Sequence, residues 1–191
     1  MITRIIKYLV REIKLFVYRR NKRIILSKPV YIDYKSKILT TNGMIIIARN
    51  VEMRSNSKGY HAGMPFNCTL LTDTLEASIQ IGENTRLNGV YIHAQKKISI
   101  GRNCVIASGV NIIDSNGHIL HSKDRTIGRD NPKEIVIGDN VWIGLNAIIL
   151  KGTTIGNNSV VSAGSVVKGN FSANKLIGGN PAINLGEINT K

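Results

Sequence analysis

Residues 137–166 read IGDNVWIGLNAIILKGTTIGNNSVVSAGSV. Set in sixes, the stretch becomes IGDNVW, IGLNAI, ILKGTT, IGNNSV and VSAGSV. Each unit opens on an aliphatic residue, usually followed by a small one, with a small or β-branched residue at the fifth place. A short fixed period of this kind decides architecture before any single residue is interpreted. Six residues suffice for one short strand and a corner. The leading Ile, Leu or Val points inward, and Gly or Asn accepts the tight backbone of the corner. Three such sides close a coil of 18 residues, the interval from Ile137 to Ile155.

Toward the N-terminus the same phrases recur as IGENTR and LNGVYI from Ile81, and as IGRNCV and IASGVN from Ile100. Ile81 and Ile100 stand 19 residues apart. Then the register slips. With Ile100, Ile106 and Ile112 on successive faces, the next coil should open at position 118, yet the isoleucine in step with Ile155 is Ile137. The 19 surplus residues define an excursion over residues 114–134, DSNGHILHSKDRTIGRDNPKE, which is polar, charged and holds two of the four histidines. So long a loop on a compact scaffold is functional or disordered. Because it leaves from a coil corner, its first residues, His118 among them, should be held firmly.

The rest of the chain is less regular. Residues 38–80 predict irregular first coils: ILTTNGMIIIARNVEMRSN has strand-like β-branched runs, and SKGYHAGMPFNCTLLTDTLEAS reads as loops and short strands. Residues 81–170 form the regular repeat with its loop, and residues 171–191 a C-terminal tail. Residues 1–37 follow another rule. Ile2, Ile5, Ile6, Leu9, Ile13, Phe16 and Val17 recur at steps of three and four, the helical period. Arg4, Lys7, Arg11 and Lys14 fall mostly on other faces, and Arg19, Arg20, Lys22 and Arg23 close the segment.

Of the net charge of +14, this segment carries +9, with 11 Lys or Arg against Glu12 and Asp33, and the other 154 residues carry +5. A basic amphipathic helix suits an anionic lipid surface. Packing on the main domain or on a neighbouring subunit is equally open. Nucleic acid is disfavoured as a partner, since no aromatic stacking platform accompanies the charge.

Composition agrees with a soluble β-fold. Apolar residues make up 42% and aromatics only 5%, with 18 glycines, so the core is built from Ile, Val and Leu with many tight turns. Cys68 and Cys104 form no C-x-x-C pair, which argues against a zinc ribbon or a redox dithiol and for two reduced thiols. No secretory signal is recognisable, and no apolar run approaches the ~20 residues of a spanning helix. The expectation is a cytoplasmic protein, with peripheral contact to the inner face of the membrane open through residues 1–25.

The phrases IASGVNIIDSNGH, IVIGDNVWIGLNAIILKGTTIGNNSVVSAGSVVKG and IGGNPA resemble the hexapeptide-repeat acyltransferase family, in particular its galactoside, maltose and surface-polysaccharide O-acetyltransferases. The resemblance implies a left-handed parallel β-helix, against the usual right-handed crossover, and a homotrimer with active sites between subunits. It also implies acetyl-CoA as co-substrate, a saccharide acceptor and no required metal. By the same resemblance His118, at the start of the protruding loop, is the general base.

Asp114, four residues earlier, is open to two roles: fixing the tautomer of the His118 ring, or capping the first bend of the loop. Asn88 aligns with an asparagine that contacts the acceptor hydroxyl, or is a corner asparagine. Gly144, Leu145, Ser162, Ala163 and Lys168 match cofactor-binding positions of the C-terminal coils. Trp142 precedes the inward Ile143, so alternation turns its indole outward, where it lines a pantetheine groove or anchors a subunit interface. The sequence departs from the family after the Gly-x-Pro element. GGNPAINLGEINTK has no basic residue before Lys191, so Lys168 and Lys175 are the substitutes for phosphate contact.

Three rival readings share this sequence. A γ-type carbonic anhydrase would need His93, His118 and His121 to converge on zinc. His93 and His121 otherwise read as solvated or satisfied polar residues. A non-catalytic, membrane-tethered scaffold of a glycan-assembly complex would bind no coenzyme A. A serine acetyltransferase would need a large N-terminal helical domain, which 37 residues cannot supply.

Overall fold

The computed structural model describes residues 2–189, with side chains from Arg4 onward. One α-helix, α1 (Ile2–Arg20), precedes 21 short strands. The strands fall into successive triplets, one strand per face of a three-sided prism. The first coil holds β1 (Ile24–Leu26), β2 (Tyr31–Ile32) and β3 (Lys37–Thr40). The second holds β4 (Met44–Ile47), β5 (Glu52–Arg54) and β6 (Thr69–Thr72), and the third β7 (Ser78–Ile81), β8 (Arg86–Asn88) and β9 (Tyr91–Ala94). The fourth comprises β10 (Lys97–Ile100), β11 (Val105–Ile106) and β12 (Asn111–Ile113). The fifth has β13 (Ile135–Ile137), β14 (Trp142–Ile143) and β15 (Ile148–Leu150). The sixth has β16 (Thr154–Ile155), β17 (Val160–Val161) and β18 (Val166–Val167). The chain finishes with β19 (Asn170–Phe171), β20 (Lys175–Gly179) and β21 (Ala182–Glu187).

Each strand from β1 to β17 pairs in parallel with the strand three places on, so the first face is β1-β4-β7-β10-β13-β16-β19. The second face is β2-β5-β8-β11-β14-β17-β20-β21 and the third β3-β6-β9-β12-β15-β18. Register follows the leading aliphatics: Ile45 lies on Ile79, Ile79 on Ile98 and Ile98 on Ile135, all fully buried. Each buried isoleucine contributes roughly 1.5–3 kcal/mol by leaving water. Ile100 pairs with Ile137 and Ile137 with Ile155, and residues 114–134 lie between β12 and β13.

The corner between first and second faces shows why the repeat reads Ile-Gly-x-Asn. Asn50, Asn84, Asn103, Asn140, Asn158 and Asn174 all take φ between 54° and 60°, a left-handed conformation that asparagine tolerates better than other side-chain-bearing residues. Their amides bond along the corner, Asn50 to Asn84 at 3.0 Å, Asn84 to Asn103 at 3.1 Å and Asn140 to Asn158 at 3.0 Å. The glycine of the motif makes room for that stacking: a Cβ on Gly82 would lie 2.5 Å from the Gly101 carbonyl carbon.

Coils begin earlier than the sequence suggests. The helix ends at Arg20, and β1 and β2 belong to the first coil, so residues 1–37 are not one segment. Ile47-Ala48-Arg49-Asn50 is the same corner as Ile81-Gly82-Glu83-Asn84, but the two lie 34 residues apart instead of 18. A second excursion, residues 55–68 between β5 and β6, accounts for most of the difference, and a longer turn between β6 and β7 adds to it. Both ends of the prism are covered. Leu15 joins the core beside Ile24, and the Tyr18 hydroxyl accepts from the Ile38 N–H at 3.2 Å. At the other end β21 pairs antiparallel with β20, so residues 171–189 are a last coil and a cap as well as a tail. Covering the edge strands removes open pairing sites. The Ile2 side chain and Lys191 lie outside the described residues.

Candidate active site

The outward side chains of the second face build a groove of about 780 Å³. Asn88, Trp142, Gly144, Leu145, Ser162 and Ala163 line it, so six of the nine residues singled out in the sequence share one surface. Strand alternation puts them there. Ile143 and Val161 point into the core with no exposure, which turns Trp142 outward, 54% exposed, with Val105 and Val160 as its register partners. Gly144 is required by closeness, since a Cβ there would lie 2.6 Å from the Ala163 N.

Asn88 is buried at the groove wall; its Nδ2 donates to the Ile106 carbonyl at 3.0 Å and its Oδ1 has no partner. A buried acceptor without a donor costs about 1–3 kcal/mol.

Sequence reasoning missed the other wall. Residues 55–68 fold back over the corner between second and third faces and deliver Gly59, Tyr60 and His61 to the groove, beside Arg54 and Arg86. The Ser108 N–H donates to the Tyr60 hydroxyl at 3.4 Å and its hydroxyl to the Gly63 carbonyl at 2.5 Å, which ties the loop down. The available signal was the 34-residue interval between the Ile47 and Ile81 corners.

His118 lies elsewhere. It leaves the fourth coil after β12, at the edge between third and first faces, and does not line the groove of its own chain. Its ring is exposed, with Nδ1 2.7 Å from the Arg125 carbonyl oxygen. A carbonyl only accepts, so Nδ1 carries the proton and the neutral ring presents its lone pair at Nε2. The loop is fixed just before the ring. The Asp130 carboxylate accepts from the Asn116 N–H at 2.8 Å and the Gly117 N–H at 3.1 Å, and pairs with Lys151 of the coil body. Burial works against that charge, but Lys151 and the two N–H donors outweigh it and hold the carboxyl below its ordinary value.

Asp114 is not the partner of His118. Its side chain turns inward, fully buried, and accepts from the backbone N–H groups of Gln95, Lys96 and Lys97, each at 2.8 Å. Burial pushes its carboxyl upward against those three donors. The residue caps the bend where the loop departs, the second of the two roles its position allows. The Arg125 carbonyl takes the tautomer-fixing role instead.

Two basic candidates also move. Lys168 is exposed off the groove, on the same edge as His118 and two coils further along. Lys175 pairs with Glu187 across the terminal hairpin, so its charge is already matched. His93 lies 3.3 Å from Asp73, which Arg129 of the loop also meets at 3.2 Å. His93, His118 and His121 do not gather, and among the described residues no three His, Cys, Asp or Glu side chains do. Burial pushes the Cys68 thiol up to about 11 and raises that of Cys104, so neither is a poised nucleophile.

The description "Hexapeptide repeat of succinyl-transferase" matches residues 98–113 and 134–168, the coils on either side of the loop. These coils carry the hexapeptide repeat of that description. The prism of the chain is a left-handed β-helix. The galactoside O-acetyltransferase of Escherichia coli strain K12 is 37% identical over 116 residues, 60% of this chain and 57% of the relative. A solved galactoside acetyltransferase in complex with coenzyme A superposes with a TM-score of 0.53 at 27% identity, covering 80% of this chain and 65% of that one. A solved polysialic acid O-acetyltransferase gives 0.69 at 29% identity, covering 88% and 76%. The chain spans 57–58% of the length of the curated relatives it matches.

Proposed function

We propose that this protein is an O-acetyltransferase that moves an acetyl group from acetyl-CoA to a saccharide hydroxyl, in the assembly of a surface polysaccharide. The observation that carries the reading is the state of His118: an exposed imidazole on a loop held at Asp130, its Nδ1–H committed to a backbone carbonyl and its Nε2 lone pair free. Nε2 takes the hydroxyl proton as the sugar oxygen attacks the thioester carbonyl. The C–S bond then breaks, and the imidazolium returns the proton to the departing thiolate. No acyl-enzyme is needed, and neither buried cysteine takes part. General-base assistance of this kind is worth about 10²–10⁴-fold.

The candidate residues divide between two surfaces of one chain. Asn88, Trp142, Gly144, Leu145, Ser162 and Ala163 lie on the groove, His118 and Lys168 on the opposite edge. A site that needs both sets is completed by a second copy, which supports a cyclic homotrimer with the edge of one subunit over the groove of the next. Asn88 Oδ1 then accepts from the acceptor hydroxyl, and the groove beneath Trp142 takes the pantetheine arm. No metal is required in this scheme. The chain works at the cytoplasmic face of the membrane, in peripheral contact through residues 1–25; no helix among the described residues is long and apolar enough to cross it.

Acetyl-CoA-dependent thiol release across a panel of saccharides, wild type against His118→Ala, tests the proposal. Saccharide-stimulated release that falls at least 100-fold in the variant is expected. Equal release by both proteins would remove His118 from the mechanism.

A further inference from the structure

The groove does not stop at Asn88. A second cavity of about 410 Å³ shares Arg54, Gly59, Tyr60 and Asn88 with it and continues along the second face to Glu52, Asp33 and Tyr31. Asn88 belongs to the third coil and Tyr31 to the first, two strand steps of ~4.8 Å away. Two tyrosine rings, the Glu52–Arg54 ion pair and the remaining acceptor capacity of the Asp33 carboxylate, whose other oxygen holds the Lys35 N–H, suit a second sugar residue beyond the one being modified. The extension runs toward the end of the prism that α1 covers. The Arg11 guanidinium lies 5.5 Å from the centre of the Tyr31 ring, and Lys14 Nζ donates to the Tyr34 and Ser36 carbonyls at 2.7 and 3.1 Å.

α1 uses little of its apolar surface for that covering. Leu15 and Tyr18 face the coils, while Ile5, Ile6, Leu9, Ile13, Phe16 and Val17 are each more than half exposed. Six cations, Arg4, Lys7, Arg11, Lys14, Arg19 and Arg20, accompany a single acidic residue, Glu12. Charge complementarity therefore selects an anionic lipid surface as the occupant of this face. Any cyclic assembly of parallel prisms also brings every copy of α1 to one end, which multiplies the attachment.

We infer, resting on the acetyl-transfer reading above, that the acceptor is a saccharide carried on a membrane lipid. α1 seats on the bilayer, and the saccharide lies along the second face with its lipid end at Tyr31 and its reacting hydroxyl at Asn88.

Full-length protein is incubated with [¹⁴C]acetyl-CoA and washed membranes from cells deleted for the gene, and label is partitioned between lipid extract and water-soluble glycan. Saccharide-bound label in the lipid extract is expected, absent with His118→Ala. Ile13→Glu/Phe16→Glu, which changes only exposed positions, should lower that label about tenfold and release the protein from vesicles of phosphatidylglycerol and phosphatidylcholine. Label confined to soluble glycan would overturn the inference and leave the acetyl-transfer reading standing. Label nowhere would overturn both. A double variant that keeps its vesicle binding, or that dissociates the oligomer, would show α1 to be covered by protein instead of lipid.

Discussion

The fourth coil and the loop that leaves it at Asp114 are joined by one peptide bond and answer to different demands. In the coil, Ile98, Ile106 and Ile112 are fully buried, and every strand has a parallel neighbour on each side. In the loop, residues 116–134 are mostly exposed and carry no regular strand, and their positions depend on a few polar ties. Asp114 and His118 sit on either side of that divide. One carboxylate is spent on three backbone amides of the scaffold, and the imidazole four residues later is left with a free nitrogen. The scaffold satisfies its polar groups, and the loop leaves one imidazole nitrogen open to solvent.

Substitutions that sharpen this contrast separate activity from stability. His118→Ala should cost about 10²–10⁴-fold in turnover while the melting curve hardly moves, measured by thiol release and calorimetry. Ile112→Ala should do the reverse, lowering unfolding free energy by about 2–5 kcal/mol in urea titration through the cavity it leaves.

Asp114→Ala should behave as a scaffold change despite its place beside the base. Three backbone N–H donors lose their acceptor, and the buried one, of Gln95, alone costs about 1–3 kcal/mol. The pH profile of the surviving activity should keep its shape, because the carboxylate does not touch the His118 ring. A shifted profile would return Asp114 to the catalytic group.

Asp130→Asn is the smallest of the series. It should lower turnover about tenfold with little change in stability, because a neutral amide still fills the space but weakens the tie to Lys151. Since the Asp130 carboxyl is held low, that tie is intact above the ordinary carboxylate range and is lost as pH falls through the depressed value. Wild-type activity should therefore decline in acid faster than that of the variant, a difference read from paired pH profiles.

How far the sequence could be read follows from the same contrast. From Ile81 to Asn158 the Ile-Gly-x-Asn corners repeat, so strand register, the inward set and the outward Trp142 are all legible, as is the length of the excursion before Ile137. The first coils are not, because Ala48 stands where the repeat has glycine and residues 55–68 break the count. Tyr60 and His61 reach the groove only through that break. Asp114 was ambiguous because four residues of spacing permit a carboxylate–imidazole pair. What decides against it is a bend that aims the side chain at Gln95, Lys96 and Lys97, 17 to 19 residues back. Lys175 was misjudged for a related reason, since its partner Glu187 arrives by a hairpin that no repeat announces.

The most direct test is a calorimetric titration of acetyl-CoA into the full-length protein and into His118→Ala. The two-surface account predicts micromolar binding at about one site per chain in both, because the groove holds the cofactor and His118 serves only to move the proton during transfer. Absence of binding by a folded wild-type protein would contradict it.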